Sequence, residues 1–271
     1  MNGKNLRIEK LFNKSNNAVI IAVDHGMFDG PIPGMINMQE VIEKINPCVD
    51  GVLLSPGMLR HLRPVFNYKE APLPIVRINW SSVYCFHWNY NHANTVLAQT
   101  VEEAVANGAE IVLASLTLQT GSEENDTKNV ELFCRLVNAA DKLGIPVIGE
   151  YFPTYSGEIT PEQMHEQVFT CCRILSELGC DMIKTFYTHD FREVVDSCPV
   201  PIFGLGADKK PTQKDALQLA ADEIRDGARG VVFGRNAIQV PNPAKFQKAL
   251  CDVVKNRMSP EEAIQKHNLS D

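Results

Sequence analysis

Gly179-Cys180-Asp181-Met182-Ile183-Lys184-Thr185-Phe186-Tyr187-Thr188 runs from a glycine turn through a short apolar stretch to a lysine. Gly179 follows Leu178 at the end of a helical pattern, and residues 181–184 read as one short buried strand. Lys184 stands where that strand ends. A charged amine has little structural reason to be there, whereas a neutral one is a nucleophile towards a carbonyl.

The same unit recurs along the chain. Glycine precedes a strand-like run in the same way at Gly108, Gly144 and Gly227. Apolar, β-branched runs cover residues 18–24, 51–55, 74–79, 110–115, 146–150, 181–184, 200–204 and 230–233, each followed by a helical pattern. Continuous runs such as Ile111-Val112-Leu113-Ala114 call for burial on both faces, which parallel strands covered by helices provide. Among the helices, Val130, Phe133, Cys134, Val137 and Leu143 approximate one apolar stripe ahead of the stop at Gly144. Thr160-Pro161-Glu162-Gln163 has the form of a capping box with proline in the first turn.

Eight such units predict an α/β fold, a (βα)8 TIM barrel in a single domain over residues 1–271. Residues 1–17 form an N-terminal extension. Ser259-Pro260-Glu261-Glu262 starts a C-terminal helix within 259–271, placed to dock on a neighbouring subunit or on the barrel bottom. A doubly wound open sheet is the alternative, but no Gly-x-Gly-x-x-Gly separates the first strand from its helix.

The 271 residues are 44% hydrophobic and 22% charged, enough for one large core, and carry a formal net charge of -7. That charge, with no stripe of lysine and arginine, argues against nucleic acid as a partner. The longest apolar runs, such as 19–23, are strand-sized, and the first residues are polar; neither export nor a membrane anchor is expected, and the chain reads as cytoplasmic. Cys48, Cys134, Cys171, Cys172, Cys180, Cys198 and Cys251 form no Cys-x-x-Cys pair and read as small core residues. Cys85, His87 and His92 fit no common zinc spacing, so no metal site is expected.

In such a barrel the active site is built where strands end and βα loops begin. The chemically loaded positions are Asp24-His25, Glu150-Tyr151, Lys184, Gly204-Leu205-Gly206 and Gly234-Arg235-Asn236. A lysine titrates near ~10.4 in water, and bringing it to about 7 asks the site for roughly 4 to 5 kcal/mol against the charged form. The competing reading for Lys184 is a structural ion pair with a carboxylate such as Asp24. Asp24 ends the first strand, where it holds a substrate hydroxyl or transfers a proton; its bland role is to cap the loop 26–34. Glu150 and Tyr151 are both candidates for moving protons, and strand alternation lets only one of them point into the barrel. The sequence leaves that choice open. His25, Tyr187 and His189 are secondary candidates. Gly204, Gly206, Gly234 and Arg235 follow the seventh and eighth strands, where many TIM barrels bind phosphate. Glycines let backbone N–H groups approach the anion, a helix start adds its dipole, and Arg235 offers a fork of donors.

Three pieces in chain order carry a family resemblance: Val-Asp-His-Gly-Met-Phe-Asp-Gly-Pro (23–31), Ile-Lys-Thr-Phe-Tyr-Thr (183–188) and Val-Phe-Gly-Arg-Asn (232–236). In them the chain resembles class I fructose-bisphosphate aldolases of the archaeal and bacterial type, whose relatives include aminodeoxyheptulosonate synthase and the autoinducer-processing thiolase. The resemblance implies that Lys184 forms a Schiff base, that Asp24 contacts the substrate and that Gly204, Gly206, Gly234 and Arg235 hold a phosphate. It also implies neither metal nor other cofactor, a phosphorylated small-molecule substrate and a homo-oligomer, often a decamer. Transaldolase or acyl transfer through the same imine, and a phosphosugar-binding barrel without catalysis, are the alternatives. Two departures bear on the site. Family members commonly carry Tyr-Pro after strand five, where this chain has Glu150-Tyr151-Phe152-Pro153, and the usual Gly-Gly after strand seven is replaced by a loop containing Asp208, Lys209 and Lys210. The loop 80–94, with Trp80, Tyr84, His87 and Trp88, has no counterpart and is expected to line a pocket or an oligomer contact.

Overall fold

The computed structural model describes residues 3–88, 90, 92–153 and 159–270. Met1, Asn2 and Asp271 of the predicted terminal segments, and Asn89 and Asn91 of the predicted loop 80–94, lie outside the described residues. Eight parallel strands close into a barrel in chain order: β1 (Ala18–Ala22), β2 (Gly51–Leu54), β3 (Leu73–Arg77), β4 (Ile111–Leu116), β5 (Val147–Tyr151), β6 (Met182–Phe186), β7 (Ile202–Leu205) and β8 (Gly230–Phe233). β8 returns to β1 through Ala18↔Gly230 and Ile20↔Val232, so the barrel has no open strand edge.

Alternation along each strand sorts the apolar residues into two layers. Ile20, Ile75, Leu113, Ile148, Met182 and Phe203 belong to the barrel interior, while neighbours such as Val19, Val112, Val147 and Ile183 pack outward against the helices. Each such side chain gains about 1.5–3 kcal/mol from full burial. The predicted N-terminal extension is a plug for this interior. Leu11, in the helix Gly3–Leu11, is 0% exposed within the interior layer, Phe12 stacks on Phe203 with centroids 5.9 Å apart, and Lys4 pairs with Asp181 at 2.8 Å. The N-terminal end of the barrel is thereby shut, and the C-terminal end is left for chemistry.

Local rules set the helix ends. Helix Glu123–Leu143 begins two residues before the predicted 125 because Ser122 accepts the Asn125 amide; Gly144, at φ 65°, ends it. Thr160 and Gln163 form the expected capping box. The C-terminal helix Pro260–His267 docks on the chain's own outer layer, with His267 Nε2 2.7 Å from Asp252 Oδ2 and Lys214 Nζ 2.7 Å from Glu261 Oε1. The predicted strand 74–79 is cut at Arg77. Asn79 leaves the barrel, its side chain bonding both Ser115 backbone groups (2.7 and 2.9 Å), and Asn79–Ser81 pairs antiparallel with Thr95–Leu97. All eight cysteines are free.

Gly204 sits in mid-ladder on β7, paired to Thr185 and Val231. A Cβ there would lie 2.1 Å from the Glu223 carboxyl carbon, so the glycine makes room for a buried glutamate on helix Gln213–Arg225. Both Glu223 oxygens lack a partner among the described residues. Burial therefore pushes its carboxyl well above the usual range, against the Lys210 charge, and the folded chain keeps it protonated. Because the folded-state pKa is raised, this group's contribution is fully present below the unfolded value of 4.5 and is lost as pH rises. Glu223→Met should raise stability by about 1–4 kcal/mol at pH 8 and by less at pH 5, read by urea unfolding at both pH values.

Candidate active site

Four charged side chains crown the barrel interior. Asp24, Arg77, Glu150 and Lys184 each lie two residues beyond an interior position (Ala22, Ile75, Ile148 and Met182), and the same alternation aims them inward. All are buried, Lys184 being the most exposed at 8%. Arg77 bridges the two acids: its Nε donates to Asp24 Oδ2 at 2.6 Å, and its Nη2 meets Glu150 Oε2 at 2.6 Å. Lys184 Nζ pairs with Glu150 Oε1, and the Tyr84 hydroxyl donates to Glu150 Oε2 at 2.6 Å. The guanidinium carbon of Arg77 lies 5.3 Å from the centroid of the Phe28 ring and 5.0 Å from that of Tyr84.

Burial opposes ionisation of Asp24 and Glu150, but Arg77 and Lys184 outweigh it and hold both carboxyls below the ordinary carboxylate range. Burial likewise works against the Arg77 charge, and Glu150 and Asp24 outweigh it. Two carboxylates and two cations balance. Tyr84 is pushed up by burial and by the Glu150 charge, so its hydroxyl keeps its proton and donates.

The partner of Lys184 is thus Glu150 and not Asp24, which pairs with Arg77. The choice between Glu150 and Tyr151 also falls to the pleat. Tyr151 points outward, is 0% exposed between β5 and helix Pro161–Glu177, and donates to Gln167 Oε1 at 3.2 Å, so it does not reach the cavity. Phe152 lines the cavity instead. Tyr187 is turned to Asp226 at 2.6 Å and His189 to Asp190 at 3.2 Å; neither lines the cavity. Burial, with Lys184, Arg235 and Arg77 acting against Asp24, lowers His25 to about 4, so its ring is neutral at physiological pH.

The mouth encloses about 290 Å³, the size class of a small metabolite. Across it from Tyr84, Gly206, Gly234 and Arg235 line one wall, while Gly204 does not, because its α-carbon faces Glu223. Gly204 is a packing glycine. Gly234 is required for another reason: a Cβ there would meet His25 Cε1 at 2.3 Å. Asn236 latches the facing loop, donating from Nδ2 to the carbonyls of Gly206 (2.7 Å) and Asp208 (3.0 Å) and accepting the Lys210 amide at 2.7 Å. Arg235 Nη2 donates to the Ala207 carbonyl at 3.0 Å, and its Nε has no partner among the described residues. From the loop 80–94, Tyr84 and Phe86 enter the cavity wall, and Trp80 Nε1 pins the loop to the Met27 carbonyl at 3.2 Å. Sequence reasoning overlooked Arg77. Its signal was the one that singled out Lys184, a cation closing an apolar run, here Leu73–Arg77.

A family model described as DeoC/LacD family aldolase matches residues 18–240. The chain belongs to this family. An uncharacterized aldolase of Saccharolobus solfataricus is 31% identical over 97% of this chain and 98% of its own length. The 3-hydroxy-5-phosphonooxypentane-2,4-dione thiolase of Escherichia coli is 29% identical over 97% and 86%. Among solved structures, a Schiff-base-forming fructose-1,6-bisphosphate aldolase superposes with a TM-score of 0.77 at 27% identity, covering 92% of this chain and 98% of that one. The protein is accordingly a lyase-type aldolase with the barrel of that class. Among the described residues, no helix of the aldolase is long and apolar enough to cross a membrane.

Arg77→Met leaves buried Asp24 without its cation and Glu150 with Lys184 alone, and should cost about 3–5 kcal/mol in urea unfolding at pH 7. Asp24 and Glu150 have depressed folded-state values, so their contribution is present above the unfolded carboxylate range and is lost as pH falls through the folded one. The penalty of Arg77→Met should therefore shrink in acid, where the stranded carboxyls protonate.

Proposed function

We propose that the aldolase makes or breaks a carbon–carbon bond in a phosphorylated ketose through an imine on Lys184. The substrate is of the kind named for the structural relative, fructose 1,6-bisphosphate, or a related sugar phosphate. One observation carries the reading: Lys184 stands in the barrel mouth, ion-paired to Glu150, facing a wall built from Gly206, Gly234 and Arg235. The ion pair supplies the base that nucleophilic attack needs. Glu150 takes a proton from the ammonium, the freed amine adds to the ketone, and the same carboxyl returns the proton as the carbinolamine loses water. The protonated imine then accepts the electron pair of the breaking bond as an enamine, while Glu150 takes the proton of the substrate hydroxyl whose carbon leaves as the aldehyde. Asp24, fixed by Arg77, takes a substrate hydroxyl, and Arg235 with the backbone of Gly206 and Gly234 takes the phosphate.

Glu150 is the proton-transfer group in this scheme, with Tyr84 holding its carboxylate. The whole chain acts as one catalytic domain, in a cytoplasmic homo-oligomer, as the eight free cysteines and the family resemblance support. Acyl transfer is the second reading, favoured by the thiolase relative; product analysis with an aldehyde and an acyl acceptor separates the two.

Incubation with dihydroxyacetone phosphate and borohydride should add one reduced adduct, mapped to Lys184 and absent from Lys184→Met; a wild-type protein that stays unmodified would sink the proposal. Glu150→Gln should lower kcat by about 10²–10⁴-fold, while Tyr151→Phe should stay within about two-fold of wild type. Because His25 is lowered to about 4, the pH profile of kcat/KM should show no inflection near its ordinary 6.5. An inflection there that disappears in His25→Gln would contradict this.

A further inference from the structure

The cavity is split by charge. Its phosphate wall comes from the loops after β7 and β8, where Arg235 lines the cavity beside its exposed partner Asp208 (3.1 Å) and Lys209 and Lys210 follow in the chain. Around the closed ring the opposite strands are β3 and β4. The chain that follows them is empty of fixed positive charge, since residues 78–127 contain neither lysine nor arginine, and neither do residues 151–160 after β5. That side is walled by rings instead. Tyr84 and Phe152 lie 4.6 Å apart by centroid, Phe86 and Phe152 5.9 Å, and Phe152 and Phe186 5.3 Å, in one continuous aromatic surface reaching Lys184.

The polar groups on that side are already engaged. The Tyr84 hydroxyl is given to Glu150, and the charge of Arg77 is balanced by Asp24 and Glu150. Of the three guanidinium nitrogens of Arg77, Nη1 is the one left without a partner among the described residues, beneath the Phe28 and Tyr84 rings. The two N–H bonds of this one buried nitrogen suit a carbonyl oxygen. A phosphate dianion needs several donors and a net positive field, which this side does not have.

We propose that the aromatic half of the mouth is the aldehyde subsite and that it selects an apolar, unphosphorylated aldehyde, making the ketose a monophosphate. The inference rests on the Lys184 imine proposed above. In the condensing direction, Glu150 removes the α-proton of the Lys184 iminium to give the enamine. The enamine carbon bonds to the aldehyde carbon, the carbonyl π pair moves to oxygen, and that oxygen takes the proton back from Glu150. Water then hydrolyses the iminium, freeing the ketose monophosphate and the lysine. Phe86, 54% exposed at the rim, and Phe152 cover the alkyl tail of the aldehyde.

The test is condensation of dihydroxyacetone phosphate with n-butanal or with glyceraldehyde 3-phosphate, in wild type and in Phe86→Arg, alongside borohydride trapping of the donor alone. Wild type should favour butanal by at least about ten-fold in kcat/KM, and Phe86→Arg should shift that ratio towards the phosphorylated aldehyde by about ten-fold. Phe86 is exposed, so the variant should fold. A wild type that prefers the phosphorylated aldehyde, or a ratio unmoved by Phe86→Arg, would overturn the subsite while a trapped donor adduct leaves the imine chemistry standing. Absence of any donor adduct would overturn both.

Discussion

The site depends on Arg77 being buried between two carboxylates. Its charge at 2% exposure is tolerable only because Asp24 and Glu150 flank it, and theirs only because Arg77 and Lys184 answer them. Remove one member and the charges left in the low-dielectric cavity no longer balance. This mutual dependence gives Lys184 a defined neighbour, and it orients Glu150 so that one oxygen faces the lysine while the other takes Arg77 and Tyr84.

That arrangement is possible because the barrel is filled in layers. The interior apolar layer and the helix Gly3–Leu11 close one end, so water and substrate approach from the other. The residues two positions further along form the floor of the cavity: Glu150 and Lys184 are held by a ladder on each side, Arg77 by one, and Asp24 follows the end of β1. A catalytic floor built from strand ends moves less than one built from loops. The walls, in contrast, come from loops, and each is tied down by a polar latch: Asn236 holds the loop after β7, and Trp80 holds the aromatic loop to the segment after β1.

The glycines show how one residue type serves different ends. Gly234 leaves space for the His25 ring at the cavity rim, and Gly206 keeps the facing loop close to Asn236. Gly204 reads alike in sequence, yet lies within β7, one residue off the inward Phe203, and makes room for Glu223 on the outer side of the sheet. A gap at the cavity wall and a packing gap share the same letters; only the direction of the α-carbon separates them.

The sequence by itself determined the eight-fold strand and helix pattern, the position of Lys184 at a strand end and the run of glycines and Arg235 after the last two strands. These are local properties, set by periodicity, capping and turn chemistry within one unit of the chain. Which of Glu150 and Tyr151 faces the cavity, that Lys184 is paired with Glu150 while Asp24 belongs to Arg77, and that Gly204 supports Glu223 were decided only by tertiary structure. The physical reason is that a strand's period of two fixes alternation but not phase. Phase follows from which face meets the closed barrel, and the pairing of charges follows from the ring order that brings β1, β3, β5 and β6 around a common axis.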